Sequence, residues 1–143
     1  MARGDFFTLE KKKVTVYSDF LVSFDRNPTT DNLALNVNEA SIKRQVRNIV
    51  LTQTGERFYD STKGTKLRGS LFDLFDPVRL EVLRLDIQTA ITRFVPAASP
   101  LRVEILQPVD NLERHGIHVK ISFGIINVID DPISMDIYVE KIR

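Results

Sequence analysis

The residues of this chain that could perform chemistry are few, and two histidines come first. His115 and His118 lie three residues apart, on either side of a glycine in a predicted hairpin. Imidazole nitrogens bind zinc, but a zinc site needs three or four ligands. No further ligand cluster and no cysteine accompany this pair. We therefore expect solvated or edge-strand histidines, with no metal site and no cofactor.

Two pairs of aspartates resemble the two carboxylates of a glycosidase, Asp73 with Asp76 and Asp130 with Asp131. Asp76 precedes a proline, which is typical of a helix N-terminus, and Asp131 precedes a proline in a predicted turn. Neither pair has the environment that separates a raised-pKa acid from an ionised nucleophile. No nucleophile elbow or phosphate-binding glycine loop is present either, so no catalytic residue is predicted.

Length and charge are those of an ordinary globular chain. The 143 residues fit one domain, and the net charge is +1. The charges are interspersed except at Lys11, Lys12 and Lys13, a run that is usually solvated near a terminus. We expect no direct nucleic-acid binding and no small-molecule substrate. Because no apolar run reaches the roughly 18 residues that span a bilayer, and no signal peptide is apparent, we expect a cytoplasmic protein without membrane insertion.

The first element able to position side chains is a helix that starts near Asn38. Four apolar residues follow at helical spacing: Ile42, Val46, Ile49 and Val50. We expect the Asn38 side chain to cap this helix and a left-handed Gly55 to close it. A loop and a short apolar helix follow, with Leu67, Leu71, Phe72, Leu74 and Phe75.

A longer helix is predicted to begin at Asp76 and Pro77 and to end before Pro96. Its apolar stripe consists of Leu80, Leu83, Ile87, Ile91 and Phe94, widened by Val82, Leu85 and Ala90. A helix that is apolar around so much of its girth has surplus apolar surface, which can face a partner.

Beyond Pro100 the apolar period changes from helical to alternating, which predicts three half-buried strands. Their apolar residues are Leu101, Val103 and Ile105, then Ile117, Val119, Ile121, Phe123 and Ile125, then Ile133, Met135, Ile137 and Val139. The second turn of this antiparallel meander is predicted at residues 130–132. The fold class is thus α+β, with two main amphipathic helices packed on a C-terminal three-stranded antiparallel sheet. Residues 1–37 form an irregular N-terminal arm, and residues 38–143 form a single domain.

Several short motifs occur in an order that is informative as a set. They are Tyr17-Ser18-Asp19, the segment from Asn27 to Leu33, Thr54-Gly55-Glu56-Arg57, Gly64, Leu71-Phe72 and Asp76-Pro77. Their order and spacing resemble the contractile-tail baseplate wedge family. This family contains the small sheath-initiating wedge protein of T-even phages, the GPW proteins and the TssE component of type VI secretion. One motif departs from the family pattern: after the long helix, Phe94-Val95-Pro96-Ala97 stands where the family typically has aromatic-Glu-Pro-Arg.

The resemblance implies a structural subunit of a phage-tail baseplate, assembled in the host cytoplasm, and not an enzyme. The implied partners are larger wedge proteins and the tail sheath protein, whose handshake β-fold the family shares. The implied wedge-interface residues are Phe94, Val95 and Pro96. A free strand edge would start the sheath by strand addition, and we place it in residues 117–126 or in residues 133–141, with the candidates Ile133, Met135, Ile137 and Val139. Two alternatives stay open: a TssE-like secretion-system component and a lysozyme-like peptidoglycan hydrolase.

Overall fold

A computed structural model describes residues 17–72, 76–106, 116–126 and 128–140, without the side chains of residues 128–131. In chain order the elements are β1 (Ser18–Phe20), β2 (Leu35–Val37), α1 (Glu39–Leu51), α2 (Leu67–Ser70), α3 (Pro77–Phe94), β3 (Ala98–Leu106), β4 (Gly116–Ile125) and β5 (Val128–Glu140). The predicted α+β class is confirmed. Strands β1 and β2 form an antiparallel ribbon of their own, and β3, β4 and β5 form the main sheet.

The main sheet is antiparallel throughout, with the strand order β3-β4-β5. Strand β4 lies in the middle, and its alternate residues Val119, Ile121 and Phe123 are fully buried. The prediction that residues 117–126 carry the free edge is therefore wrong, because β4 is paired on both sides.

The second turn of the meander lies between Ile125 and Val128, earlier than the predicted residues 130–132. Strand β5 begins at Val128, opposite Ile125, so residues 130–132 lie inside the strand. The register shifts between this pair and the next, Phe123 with Ile133. The predicted turn at residues 130–132 is thus wrong, since the sheet accommodates its turn-type residues as an irregular stretch of β5.

The core lies between the helices and one face of the main sheet. All four predicted apolar positions of α1 are buried, and α3 buries Leu83, Ile87, Ala90 and Ile91. Val82 and Leu85, which were expected to widen that stripe, are exposed instead. No helix in the described segments is both long and apolar enough to cross a membrane.

Two details of α1 differ from the prediction. Asn38 has a φ of 45° and makes no side-chain cap. Its amide oxygen accepts instead from the backbone N–H of Tyr17 at 3.2 Å, and its own backbone N–H donates to the Tyr17 carbonyl at 2.7 Å. The helix ends at Leu51, before Gly55, because the backbone of its C-cap residue Thr52 is extended, with a ψ of 130°. The Thr52 backbone N–H and hydroxyl both donate to the carbonyl of Asn48 and so satisfy the end of the helix. Asn38 therefore ties the start of α1 to Tyr17, the residue before β1.

The short helix α2 is also smaller than predicted. It ends at Ser70, so Leu71 is its C-cap and Phe72 lies in the turn that follows. Leu74 and Phe75 lie outside the described residues.

The start of α3 agrees with its sequence signal. Asp76 is extended, its carboxylate accepts from the backbone N–H of Val78 at 3.4 Å, and Pro77 occupies the first turn. A proline loses no hydrogen bond there. The helix ends at Phe94, as Pro96 predicts.

Removing this cap tests the assignment. We expect Asp76→Ala to lower the free energy of unfolding by about 1 kcal/mol, because the first amides of α3 lose their acceptor. Asp76→Asn keeps a capping oxygen and should lose less than half of that. Urea denaturation measures both, and equal stability of Asp76→Ala and the parent would contradict the cap.

Candidate protein-binding surfaces

Within the part of the chain that the structure describes, the candidate chemical residues lie apart and form no catalytic site. The His118 Nε2 lies 3.1 Å from the Asp136 carboxylate, on the exposed outer face of the main sheet. Asp76 caps α3, Asp130 and Asp131 lie in β5, and Asp73 and His115 fall outside the described residues. Within the described segments, no group of three His, Cys, Asp or Glu side chains is placed to hold a metal ion.

The glycine turn after α1 is held by backbone hydrogen bonds. Gly55 donates its N–H to the Ser61 carbonyl at 2.9 Å, and Thr54 donates to the carbonyl of Thr65 at 3.2 Å. The carboxylate of Glu56 accepts from the Gln53 N–H at 3.0 Å. The acidic residue of this motif therefore shapes the backbone of the turn.

Gly64 makes the closest approach in this turn. Its φ is +125°, and a Cβ at this position would lie 2.5 Å from the carbonyl oxygen of Thr52. Next to it, Thr65 is buried and donates its hydroxyl to the carbonyl of Val50 at 2.8 Å. The turn is consequently fastened to the end of α1, where a side chain at residue 64 would not fit.

Strand β5 is an edge of the main sheet. It pairs with β4 on one side, and no strand in the described part of the chain pairs with its other side. Its four candidate residues, Ile133, Met135, Ile137 and Val139, point toward the core and are buried or half-buried. What this edge offers to another chain is therefore its backbone.

The outer face of β5 carries polar residues in register with the neighbouring strands. Asp136 lies opposite Lys120 of β4, which in turn lies opposite Glu104 of β3. This row places one cation between two carboxylates, a favourable cross-strand arrangement. The N-terminal part of β5 contains Pro132, which has no N–H to donate, within the irregular stretch. Proline and bulges both disfavour strand addition, so residues 133–140 are the part of the edge open to pairing.

The ribbon of β1 and β2 packs on the domain through its polar face and turns its apolar face to solvent, which was not predicted. Its polar face is turned to α1, where Arg44 lies 3.8 Å from Asp19 and donates to the carbonyl of Phe20. Its apolar face is turned outward: Phe20 and Leu35 are paired across the ribbon and are each 51% exposed. The neighbouring exposed residues are Val22, Phe24, Leu33 and Val37. An exposed apolar patch of this kind is a candidate binding surface.

The exposure of this patch makes a clear prediction for stability. We expect Phe20→Ser combined with Leu35→Ser to change the free energy of unfolding by about 1 kcal/mol or less, because half of each side chain is already in water. The same double variant should bind less of a hydrophobic dye. As the control, Val119→Ser in the core should unfold the protein. A double variant as unstable as this control would show that the patch is covered within the chain.

The predicted wedge-interface residues lie at the end of α3, but in different environments. Phe94 is half-buried, with the Lys63 ammonium 5.9 Å and the Arg93 guanidinium 5.1 Å from its ring centre. Val95 is 2% exposed and belongs to the core. Pro96 is exposed and lines a groove of about 290 Å³ with Tyr17, Gln45, Val95, Ala97 and Ile126. Cations therefore surround the aromatic residue even though the Glu and Arg of the family motif are absent.

Comparison with known proteins confirms the resemblance seen in the sequence. The chain is 28% identical over 91 residues to the baseplate wedge protein gp25 of Enterobacteria phage T4, which covers 64% of this chain and 67% of that protein. No protein-family model matches the chain.

Two solved structures share the fold. One, from Geobacter sulfurreducens, is provisionally described as a tail lysozyme; it has a TM-score of 0.53 and 18% identity, and the match covers 76% of this chain and 93% of that one. The other is a chain of the baseplate complex from the type VI secretion system, with a TM-score of 0.55 and 13% identity. This match covers 71% of the present chain and 93% of the other.

Proposed function

We propose that this chain is a structural baseplate subunit of a contractile phage tail. It joins larger wedge proteins and starts the first ring of the tail sheath by strand addition at β5. The observation that carries the proposal is the open edge of β5, on a chain similar to a phage baseplate wedge protein. Its place is the tail baseplate, and its assembly occurs in the host cytoplasm.

Strand addition suits the geometry of this edge. Residues 133–140 form an extended segment of roughly 26 Å, at about 3.3 Å per residue. Backbone pairing along this length provides attachment, while the alternating side chains on its two faces set the register. Because Ile133 and Ile137 are buried in the core, β5 is anchored by its own side chains and keeps its position when another strand is added.

Contacts with the larger wedge proteins require a second surface. The apolar ribbon of β1 and β2, together with the groove beside Pro96, supplies one on the side of Tyr17. Phe94 and Pro96 can contact a partner there through their exposed parts, whereas Val95 supports the surface from the core. The division into an arm of residues 1–37 and a domain of residues 38–143 stays a prediction.

The glycine turn keeps these surfaces at a fixed distance. Thr65 binds the end of α1, and the N–H of Lys66 donates to the Asp86 carboxylate of α3 at 2.9 Å. The turn thereby connects the two long helices through hydrogen bonds. A rigid connection of this kind transmits a rearrangement of the baseplate to the sheath.

Loss of the chain tests the proposal. Baseplates assembled without it should contain the larger wedge proteins but should carry no sheath, and adding the purified chain should restore sheath growth. Electron microscopy of negatively stained particles measures both. Full sheath on baseplates that lack the chain would contradict the proposal.

The enzymatic alternative has its own test. The likeness to the Geobacter protein concerns the fold, and we propose a role without turnover. Purified protein should release no soluble fragments from peptidoglycan. Release that is abolished by Asp131→Asn would replace the structural proposal with hydrolysis. Neighbouring genes would distinguish a phage tail from a secretion system, the remaining alternative.

A further inference from the structure

The solvent side of α3 carries a regular row of residues that the core does not use. We call this row the outer seam; it consists of Val78, Val82, Leu85, Thr89 and Thr92. Successive members are four, three, four and three residues apart. This is the spacing of the contact positions in a coiled coil.

The outer seam is exposed and lies opposite the buried face of the helix. Val78, Val82 and Leu85 are 68%, 62% and 49% exposed, whereas Leu83 and Ile87 are buried in the core. The solvent side of a surface helix is normally polar. Because the core face of α3 is already complete, the three aliphatic residues contribute little to folding and are available to a partner.

The spacing identifies the kind of element that fits. Side chains four and three residues apart form a nearly straight row on a helix, which packs against the same row of a second helix. From Val78 to Thr92 the row measures about 21 Å at 1.5 Å per residue, or four turns. Its C-terminal half borders a shallow groove of about 420 Å³, lined by Leu85, Gln88, Thr89, Thr92 and Arg93.

The charges beside the seam indicate the chemistry of that helix. Glu81 is bound by the guanidinium of Arg84 through two contacts, of 2.5 and 2.8 Å, and Asp86 accepts from the Lys66 N–H. Both carboxylates at the seam thus have partners in the chain. Arg93 stacks on Phe94, an arrangement that does not use its N–H donors. A partner with a carboxylate opposite Arg93 is therefore complementary, and a second copy would bring carboxylates that are already engaged.

We propose that the outer seam of α3 binds an amphipathic helix of a partner chain in the assembled baseplate. This helix has aliphatic residues at four-three spacing and a carboxylate facing Arg93. The inference rests on the proposed baseplate role but concerns a surface separate from β5, so the two can fail independently.

A cysteine footprint tests the inference, because the chain has no cysteine of its own. The variants are Val82→Cys, Leu85→Cys and Thr89→Cys, with Ser61→Cys in the exposed glycine turn as the control. In the free protein all four thiols should react with maleimide at similar rates. In assembled baseplates the three seam thiols should react at least about tenfold more slowly than in the free protein, the factor that corresponds to 1.4 kcal/mol of protection.

The contrary outcomes are distinct. Seam thiols that react equally fast in free and assembled protein would overturn the inference while leaving strand addition at β5 untouched. Failure of the parent chain to enter baseplates would overturn both proposals. Sedimentation equilibrium should show a monomer, and a dimer dissociated by Leu85→Glu would replace the partner helix with a second copy.

The acidic character of the partner has a separate test. Arg93→Glu should lower incorporation into baseplates about tenfold relative to Arg93→Lys, which keeps the positive charge. Arg102→Glu, on the outer face of the main sheet, is the matched charge reversal away from the seam. Equal incorporation of Arg93→Glu and Arg93→Lys would overturn the assignment of a carboxylate to the partner helix.

Discussion

A proline at one position of β5 is expected to stop sheath growth while leaving the wedge subunit folded. In an antiparallel strand both backbone groups of a residue point to the same side, and the side alternates between neighbouring residues. Of Asp136→Pro and Ile137→Pro, one therefore removes an N–H that faces the open side of β5, and the other removes an N–H that faces β4. The variant that loses the N–H on the open side should enter baseplates normally and produce no sheath.

The variant that loses the N–H facing β4 serves as the internal control. Losing a hydrogen bond to β4 should destabilise the fold itself, and Ile137→Pro would in addition lose a buried side chain, for a total of about 3 kcal/mol or more. Asp136→Ala and Ile137→Val separate the backbone effect from the loss of a side chain. Electron microscopy counts sheathed tails, and urea denaturation measures folding. If Asp136→Pro and Ile137→Pro both fold and both support normal sheath, strand addition at β5 is contradicted.

The largest loss of stability from a small change is expected at Gly64. In Gly64→Ala the new Cβ would lie 2.5 Å from the Thr52 carbonyl oxygen, at a φ of +125° that other residues rarely adopt. Both the contact and the backbone conformation must change. We expect a decrease of about 3 kcal/mol in the free energy of unfolding.

Two further glycines provide matched controls for this substitution. Gly55 has a φ of +93° but no atom within 4 Å of its Cβ position, so Gly55→Ala should cost about 1 kcal/mol for the backbone alone. Gly69 lies in α2 with open space around its Cβ position, and Gly69→Ala should be neutral or slightly stabilising. Chemical denaturation of the three variants should give this order. A Gly64→Ala variant as stable as Gly69→Ala would show that the turn is not tightly packed.

The long elements could be predicted from the sequence because their apolar periods coincide with burial. Ile42 and Val46 in α1 are four residues apart and fully buried, as are Ile87 and Ile91 in α3. The alternation from Ile117 to Phe123 corresponds to the central strand β4. Asp76 and Pro77 mark the start of α3 through local chemistry that requires no tertiary contact.

The errors occur where tertiary contacts overrule local preference. Asn38 is a good capping residue, but its side chain binds Tyr17, a residue 21 positions away that no local pattern reveals. Asp131 and Pro132 are turn-type residues, yet they lie inside β5, because Val128 before them and Ile133 after them both pair with β4. Alternation alone does not specify the order of strands in a sheet, so the sequence did not show that β4 lies in the middle.

The proposed binding surfaces were only partly predictable. The alternate residues Ile133, Met135, Ile137 and Val139 were chosen as an edge, and β5 is one, but the side chains of these four residues face the core. Phe20 and Leu35 were missed, although the alternation of Phe20, Val22 and Phe24 was the available signal. Alternation shows that one face of a strand is apolar; whether that face is turned inward depends on the docking of the ribbon through Asp19 and Arg44.

The most direct test of the account is the structure of the assembled baseplate, determined by electron cryomicroscopy at a resolution that shows strand pairing. We predict a sheath strand hydrogen-bonded to residues 133–140 on the side of β5 that faces away from β4. A sheath bound elsewhere on the chain, with the edge of β5 open to solvent, would contradict strand addition as the way in which this subunit starts the sheath.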